Sequence, residues 1–425
     1  VAAEDGGADG LVDGMAAMEA LDSLVEKSLV VVQPREDGTW FRLLDTIRLY
    51  AGERLDAADG DRARGRLLNW LLEISRDTTG MLAGADMDKW LSKVESLVPN
   101  IRELVIWSAA SKGRRAAGAL LAGRFEKAWY TYGRQAESRR ILSLLRDQGE
   151  SEIPDDSMAR LLFFDGLLVW GHHPEEAVAS FQRAGRAFAA IDAQALRADA
   201  LGNEGSNHIF LQDLERAEAC FRDALALQRQ AGLTAAAAGT LASLGEIYRL
   251  RGHWDEAARL NAESIALRRD QGQMASAAFW SWHNLGQIRL RQGRVAEGAR
   301  ALRHALGIIE QVAWKHWPDQ YASCLHGLGG AAAFQGDGRR AARLMGAAEA
   351  ILAVEHHFLQ PADAADRDWN LSRARALLDE ADWQAAWAEG QALTLEQAVA
   401  EGLDLAEDVA AEAVGGQGME EGRLG

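Results

Sequence analysis

The chain has 425 residues with 63 acidic and 46 basic side chains, a net charge of −17 that excludes a broad phosphate-binding face, because nucleic-acid affinity depends on Lys and Arg neutralising phosphates. Its two cysteines, Cys220 and Cys324, lack the CxxC or Cys/His spacing of a zinc site and read as packed, reduced thiols of a cytoplasmic protein. No apolar run approaches the length of a membrane-spanning helix, and no signal peptide is present.

The lead-in, Val1 to Gly10, is acidic and glycine-rich and is expected to fray. The first residue is Val and a helical pattern starts almost at once, so the chain is expected to be part of something longer. Met15, Met18, Leu21, Leu24 and Val25 mark an amphipathic helix up to Lys27. Leu29–Val32, the turn signal Pro34–Gly38 and Thr39–Leu43 then form a hairpin, and a helix follows from Asp45 to about Ala57. Helix, hairpin and helix in this order make the back half of a winged-helix domain over residues 1–60.

Residues 61–150 form a helical connector, packed through Leu67, Leu71, Ile74, Leu91, Val94, Leu97, Ile101, Leu104, Trp107, Leu120, Phe125 and Trp129. Residues 151–390 are repeats. After a degenerate first pair built on Phe163, Trp170, Ala177, Phe181 and Ala184, one beat returns four times. A Gly stands at Gly205, Gly245, Gly286 and Gly329, followed by small residues at Ala217, Ala257, Gly298 and Ala341 and again at Ala224, Ser264, Ala305 and Ala348. Turn glycines recur between the first two beats at Gly252, Gly293 and Gly336, with Gln212 in the first copy. Such spacing describes two helices joined by a tight turn, with small residues where helices approach closely. Intervals of 40, 41 and 43 residues exceed the 34 of a minimal tetratricopeptide unit, so each helix is about a turn longer. HEAT-like pairing is the alternative, but the Leu-Gly pairs at Leu244-Gly245, Leu285-Gly286 and Leu328-Gly329 favour the tetratricopeptide form. Thr394 with Gln397 forms a capping box that starts a last helix, and residues 391–425 are that helix plus an acidic tail, disordered beyond about Ala406. The fold class is therefore all-α: a right-handed tetratricopeptide-like solenoid preceded by a partial winged-helix domain with one small β-hairpin.

Catalytic constellations are absent from the sequence. There is no HExxH, GxSxG, GxxxxGK[ST] or Gly-rich dinucleotide loop. The adjacent pairs His172-His173 and His356-His357 point about 100° apart on a helix and make no two-ligand face. Asp363, Asp366 and Asp368 lack a calcium-loop pattern and are expected to form a solvated acidic connector. Trp314, His316 and Trp317 mark an aromatic patch between the last two repeats. No enzyme activity, metal or cofactor is expected of the segment.

What remains is surface. In a tetratricopeptide superhelix the first helix of each pair lines the concave face. Positions counted from the repeat glycines place Glu246, Arg249, Trp280, His283, Gln287 and His326 there. The expected groove binds a protein or peptide partner or a small effector, with Arg249 as the carboxylate or phosphate anchor and Trp280 as the apolar one.

The stretches LDSLVEKSLVVV (Leu21–Val32) and FRLLDTIRLYAGERL (Phe41–Leu55), with Trp90–Ser108, Trp129–Leu145, Ala341–Leu352 and Trp383–Leu403, resemble bacterial STAND-type transcriptional regulators of the LuxR-type or SARP-type group. In that family an NB-ARC ATPase is followed by a winged helix and tetratricopeptide repeats. The family's Met-His-Asp motif matches Leu43, Leu44 and Asp45, and a leucine cannot give the nucleotide contact made by that histidine. The resemblance implies a non-catalytic sensor segment, with ATP held only by an upstream ATPase domain and no direct nucleic-acid or membrane contact. A stand-alone tetratricopeptide scaffold is the alternative.

Overall fold

A computed structural model describes residues 14–35, 38–54, 57–76, 90, 94–132, 135–147, 153–270, 278–311, 318–354 and 359–421. The described residues form two compact units, the first ending at Leu168 and the second starting at Val169.

The first unit opens with α1 (Gly14–Glu26), the antiparallel hairpin of β1 (Val30–Arg35) and β2 (Gly38–Leu43), and α2 (Asp45–Arg54). The hairpin register runs from Val30 opposite Leu43 to Arg35 opposite Gly38. Six helices follow: α3 (Ala57–Ile74), α4 (Val98–Ala109), α5 (Arg115–Arg124), α6 (Glu126–Tyr132), α7 (Gln135–Asp147) and α8 (Asp155–Leu168). Leu71, Ile101, Leu104, Phe125, Trp129 and Phe164 are buried among them. Of the expected core residues, Ile74 is instead exposed, and Leu91 lies outside the described residues. Trp107 ties α4 to α3: its indole N–H donates to Asp61 at 2.7 Å, while Arg114 stacks on its ring and bonds the same carboxylate at 2.8 Å. Arg114 first, then Trp107, hold Asp61 below the ordinary carboxylate range.

The second unit is the helical solenoid. Its paired helices are α9 (Pro174–Ala190), α10 (Gln194–Phe210) with α11 (Leu214–Gln230), α12 (Thr234–Leu250) with α13 (Trp254–Asp270), α14 (Phe279–Arg291) with α15 (Val295–Gln311), and α16 (Pro318–Phe334) with α17 (Gly338–Val354). Most are 17 residues long, the extra turn that the repeat interval predicts. The repeat glycines sit where partner helices meet. A Cβ on Gly286 would lie 2.6 Å from Leu302 of the paired helix, closer than any side chain tolerates. Between helices the chain turns through left-handed backbone at Gly252, Gly293 and Gly336, with φ of 75°, 73° and 80°. The N–H of Gly252 bonds the Arg249 carbonyl and that of His253 the Tyr248 carbonyl, closing the helix end. Gln212 holds the same conformation in the first copy at φ 60°.

The C-terminal helices depart from the sequence reading. The acidic connector expected around Asp363 is the helix α18 (Pro361–Arg375), with Asp363 and Asp366 buried. Pro361 at its first turn and the spacing of Asp363, Asp366 and Asn370 give it a continuous polar face, and that face is turned inward. α19 (Glu380–Gln391) packs on α17, and α20 (Leu395–Glu421) packs on α15 and α16. The capping box at its start is formed, Thr394 N–H donating to Gln397 at 2.9 Å. This helix runs past Ala406, where acidity alone predicts disorder; its alanines are the strongest helix formers. The Trp314, His316 and Trp317 patch and His356-His357 lie outside the described residues.

A left-handed conformation costs a non-glycine residue about 1–2 kcal/mol, offset in part by glycine's extra unfolded-state entropy. Gln212→Gly is therefore expected to raise stability by about 0.5–1 kcal/mol, and Gly252→Gln to lower it by a similar amount, about 0.5–1 kcal/mol. Urea midpoints of the two variants would show opposite shifts.

Candidate interaction groove

All six candidate residues lie on α12, α14 and α16, the first helices of three successive pairs. Arg249, His283, Gln287 and His326 are 3% exposed or less, whereas Glu246 and Trp280 are half-buried. The structure joins the first four candidates from the N-terminal side, Glu246, Arg249, Trp280 and His283, into one cluster. Gln287 continues it through α18, and His326 stands apart on its own partner.

Asp363 of α18 occupies the centre of the cluster. Its Oδ1 accepts from Arg249 Nη2 at 2.6 Å and from His283 Nε2 at 3.0 Å, and its Oδ2 accepts from Ser323 Oγ at 3.4 Å. Burial works against the charged carboxylate, but His283 and Arg249 outweigh it and hold Asp363 well below the usual range. Because the carboxylate only accepts, His283 carries its proton on Nε2, leaving Nδ1 facing Cys324 Sγ at 3.8 Å. His283 is also stacked on Phe279 and meets Trp280 edge-on, which fixes the ring plane.

One turn along α18, Asp366 takes the remaining cations. It lies 3.4 Å from Arg249 Nη1 and accepts from Arg291 Nε at 2.7 Å. The Arg291 guanidinium lies over the Trp369 ring, 4.1 Å from its centroid. A further turn on, Asn370 reaches Gln287 Oε1 at 3.5 Å, while Gln287 Nε2 donates to the Ser323 carbonyl at 3.3 Å. Gly330 of α16 leaves room for Asn370, whose amide occupies the space a Cβ would take. Arg291 and the acidic residues of α18 were outside the predicted set. The i, i+3, i+7 spacing of Asp363, Asp366 and Asn370 was a readable signal for a one-faced helix, but nothing local said which surface that face would meet.

Glu246 completes the cluster without a partner for Oε1, which is shielded although the residue as a whole is not. Burial, helped by Asp363 and opposed by Arg249, pushes its carboxyl up to about 7. His326 Nε2 lies 3.2 Å from Glu349 Oε1 in a geometry not aligned for a hydrogen bond, and burial pushes its pKa down, keeping the ring neutral.

Two other places gather polar side chains. Glu204, His208 and Cys220, on α10 and α11, bring three donor atoms within 4.8 Å of one another, a grouping invisible in the linear spacing. There the Glu204 carboxylate accepts from Gln182, and burial first, then Glu204, pushes the Cys220 thiol up to about 12, so the thiol stays protonated. A cleft floored by Leu225, Leu241, Leu244 and Leu260 is rimmed by Arg222, Arg229 and Arg259. Each of these arginines is already paired, with Glu218, Glu263 and Glu256 respectively, so the cleft offers no free anion site.

A family model described as tetratricopeptide repeat matches residues 198–230, across α10 and α11. A Mycobacterium tuberculosis protein named "Putative HTH-type transcriptional regulator Rv0890c" is 31% identical over 121 residues, covering 28% of this chain and 13% of the relative. A Mycobacterium bovis protein with the same description matches with the same figures. The aligned stretch therefore spans about an eighth of these relatives' length. Among solved structures, the apo form of RapI is 10% identical with a TM-score of 0.48, covering 82% of this chain and 99% of that one. The STAND protein with a tetratricopeptide repeat sensor PH0952 from Pyrococcus horikoshii is 13% identical at 0.47, covering 84% and 57%. BtubC from P. vanneervenii is 18% identical at 0.42, covering 52% and 91%.

Breaking a buried ion pair by removing one partner typically costs about 3–5 kcal/mol, because the other charge stays buried and uncompensated. Arg249→Ala is expected to destabilise the second unit by that amount, lowering its thermal midpoint. Glu246 has a folded pKa raised from 4.5 to about 7, so between these values the native chain binds a proton that the unfolded chain does not. Stability from this site falls as pH rises through that window. Glu246→Gln should raise the thermal midpoint at pH 8, leave it nearly unchanged at pH 4, and flatten the slope between them.

Proposed function

We propose that the chain is the sensor arm of a STAND-type transcriptional regulator of the LuxR-type or SARP-type group, its solenoid binding a protein partner or effector on the face of α12, α14 and α16. Tetratricopeptide repeats are protein–protein interaction modules, and the repeat match on residues 198–230 is the observation that carries the reading. The polar face supplies the proposed site: Arg249, His283, Gln287 and His326 along three successive first helices. The relation to mycobacterial transcriptional regulators over 121 residues supports the regulatory setting.

The proposed order is a partial winged helix at 1–60, a connector at 61–150, repeats at 151–390 and a terminal segment at 391–425, all working in the cytoplasm. Val32 and the residue paired with it, Phe41, are 39% and 38% exposed, an apolar pair suited to cover by a neighbouring domain. Ligand on the solenoid would act as a population shift, favouring one state of an upstream nucleotide switch through its differential affinity for the two. The segment contributes recognition, and chemistry belongs to the ATPase. Among the described residues no helix is long and apolar enough to cross a membrane.

The coding sequence upstream of Val1 tests the setting: an in-frame GxxxxGK[ST] phosphate loop is expected, and a stop codon immediately before Val1 would refute the regulator and leave the stand-alone scaffold. The chain by itself is expected to show no sequence-selective DNA binding at physiological salt in a gel-shift titration, as its net charge of −17 requires.

A further inference from the structure

Resting on the interaction-module reading, we infer that α18 is a built-in occupant of the groove, and that the partner it stands in for is a helix carrying two carboxylates one turn apart followed by an amide. The solenoid's own pairs are held by apolar faces: Leu302, Leu306, Leu325, Leu328, Leu344 and Met345 are all buried in one core. The groove face of α18 is of another kind. Its buried side chains are Asp363, Asp366 and Asn370, flanked by the small Ala362 and Ala374. Its apolar contribution is smaller: Ala374 joins the shared core, and Trp369 and Leu371 pack against that core while staying partly exposed. A helix held through desolvated charges exchanges one set of ionic contacts for an equivalent set at little net cost, because the groove's cations stay compensated.

The fit in the groove is also incomplete. Arg249 Nε and Nη1, Asp366 Oδ2, Asn370 Oδ1 and Glu246 Oε1 are all buried without a hydrogen-bond partner. These five atoms belong to the groove and to the helix that fills it, and together they leave the guanidinium with one hydrogen bond where its fork could form several. A helix whose carboxylates seat more squarely on Arg249 and Arg291 gains those bonds and displaces α18. The groove thus specifies its partner's chemistry, an acidic helix, and sets a threshold for binding, since the partner must outcompete a segment tethered at high effective concentration.

The test uses the full chain and a fluorescein-labelled peptide of residues 361–375. Asp363→Asn with Asp366→Asn in the chain weakens the internal helix and leaves every groove residue in place; Gly330→Val does the same sterically, by crowding Asn370. Fluorescence anisotropy should show the wild-type peptide binding both variants at least tenfold more tightly than it binds the wild-type chain. A peptide with Asn at both Asp positions should not bind. Hydrogen exchange of the wild-type chain should show α18 amides exchanging faster than those of α16 and α17. Equal exchange in all three helices would overturn the proposal, marking α18 as a permanent part of the solenoid. So would absence of peptide binding to variants that circular dichroism shows to be folded. If α18 opens but only a basic peptide binds, the acidic-partner assignment falls while the interaction-module reading stands; that reading falls instead if released chains bind neither peptide.

Discussion

The second unit depends on how one buried guanidinium is compensated. Arg249 is 3% exposed and lies between Asp363 and Asp366, two carboxylates on a helix more than a hundred residues away in sequence. A lone buried cation would cost several kcal/mol, so the residue is tolerated in the last turn of α12 only when an acidic helix lies across it. The same requirement extends to its neighbours. The Nε2–H of His283 is directed at Asp363, Arg291 is steered onto Asp366 and Trp369, and Gln287 is bridged to Asn370. Arg249, His283, Gln287 and Arg291 therefore form one electrostatic unit with α18.

That unit sits on a scaffold whose geometry has a different origin. Glycines at the helix crossings and left-handed turns at Gly252, Gly293 and Gly336 let 17-residue helices pack closely and reverse sharply. The scaffold sets the spacing of Arg249, His283, Gln287 and Gly330 along successive first helices and does not depend on their chemistry. Interaction chemistry can change on such a face without disturbing the repeat, which suits a module whose partners differ from one chain to another.

Much of this was legible in advance. The glycine beat marked helix pairs, their length and their turns, because those features are imposed by sterics between residues a few positions apart. The capping box at Thr394 and the hairpin around Pro34–Gly38 were readable for the same reason. Counting from the glycines puts Glu246, Arg249, Trp280, His283, Gln287 and His326 on three successive first helices, where the structure has them. Counting could not tell whether those positions are open. By sequence Asp363 and Asp366 belong in solvent, because aspartates in a polar stretch ordinarily are solvated, and no local signal distinguishes a solvated acidic helix from one laid on arginines.

The sequence by itself determined the all-α repeat, its period, its turns and which side chains share the inner face, since each follows from short-range geometry. Only the tertiary structure decided what that face touches. It brought Asp363 within 2.6 Å of Arg249 across 114 positions, gathered Glu204, His208 and Cys220 from two helices, and turned an expected open groove into one filled by the chain's own helix. The physical reason is that pairing of buried charges depends on distance in space, which a linear pattern with period 3.6 does not encode.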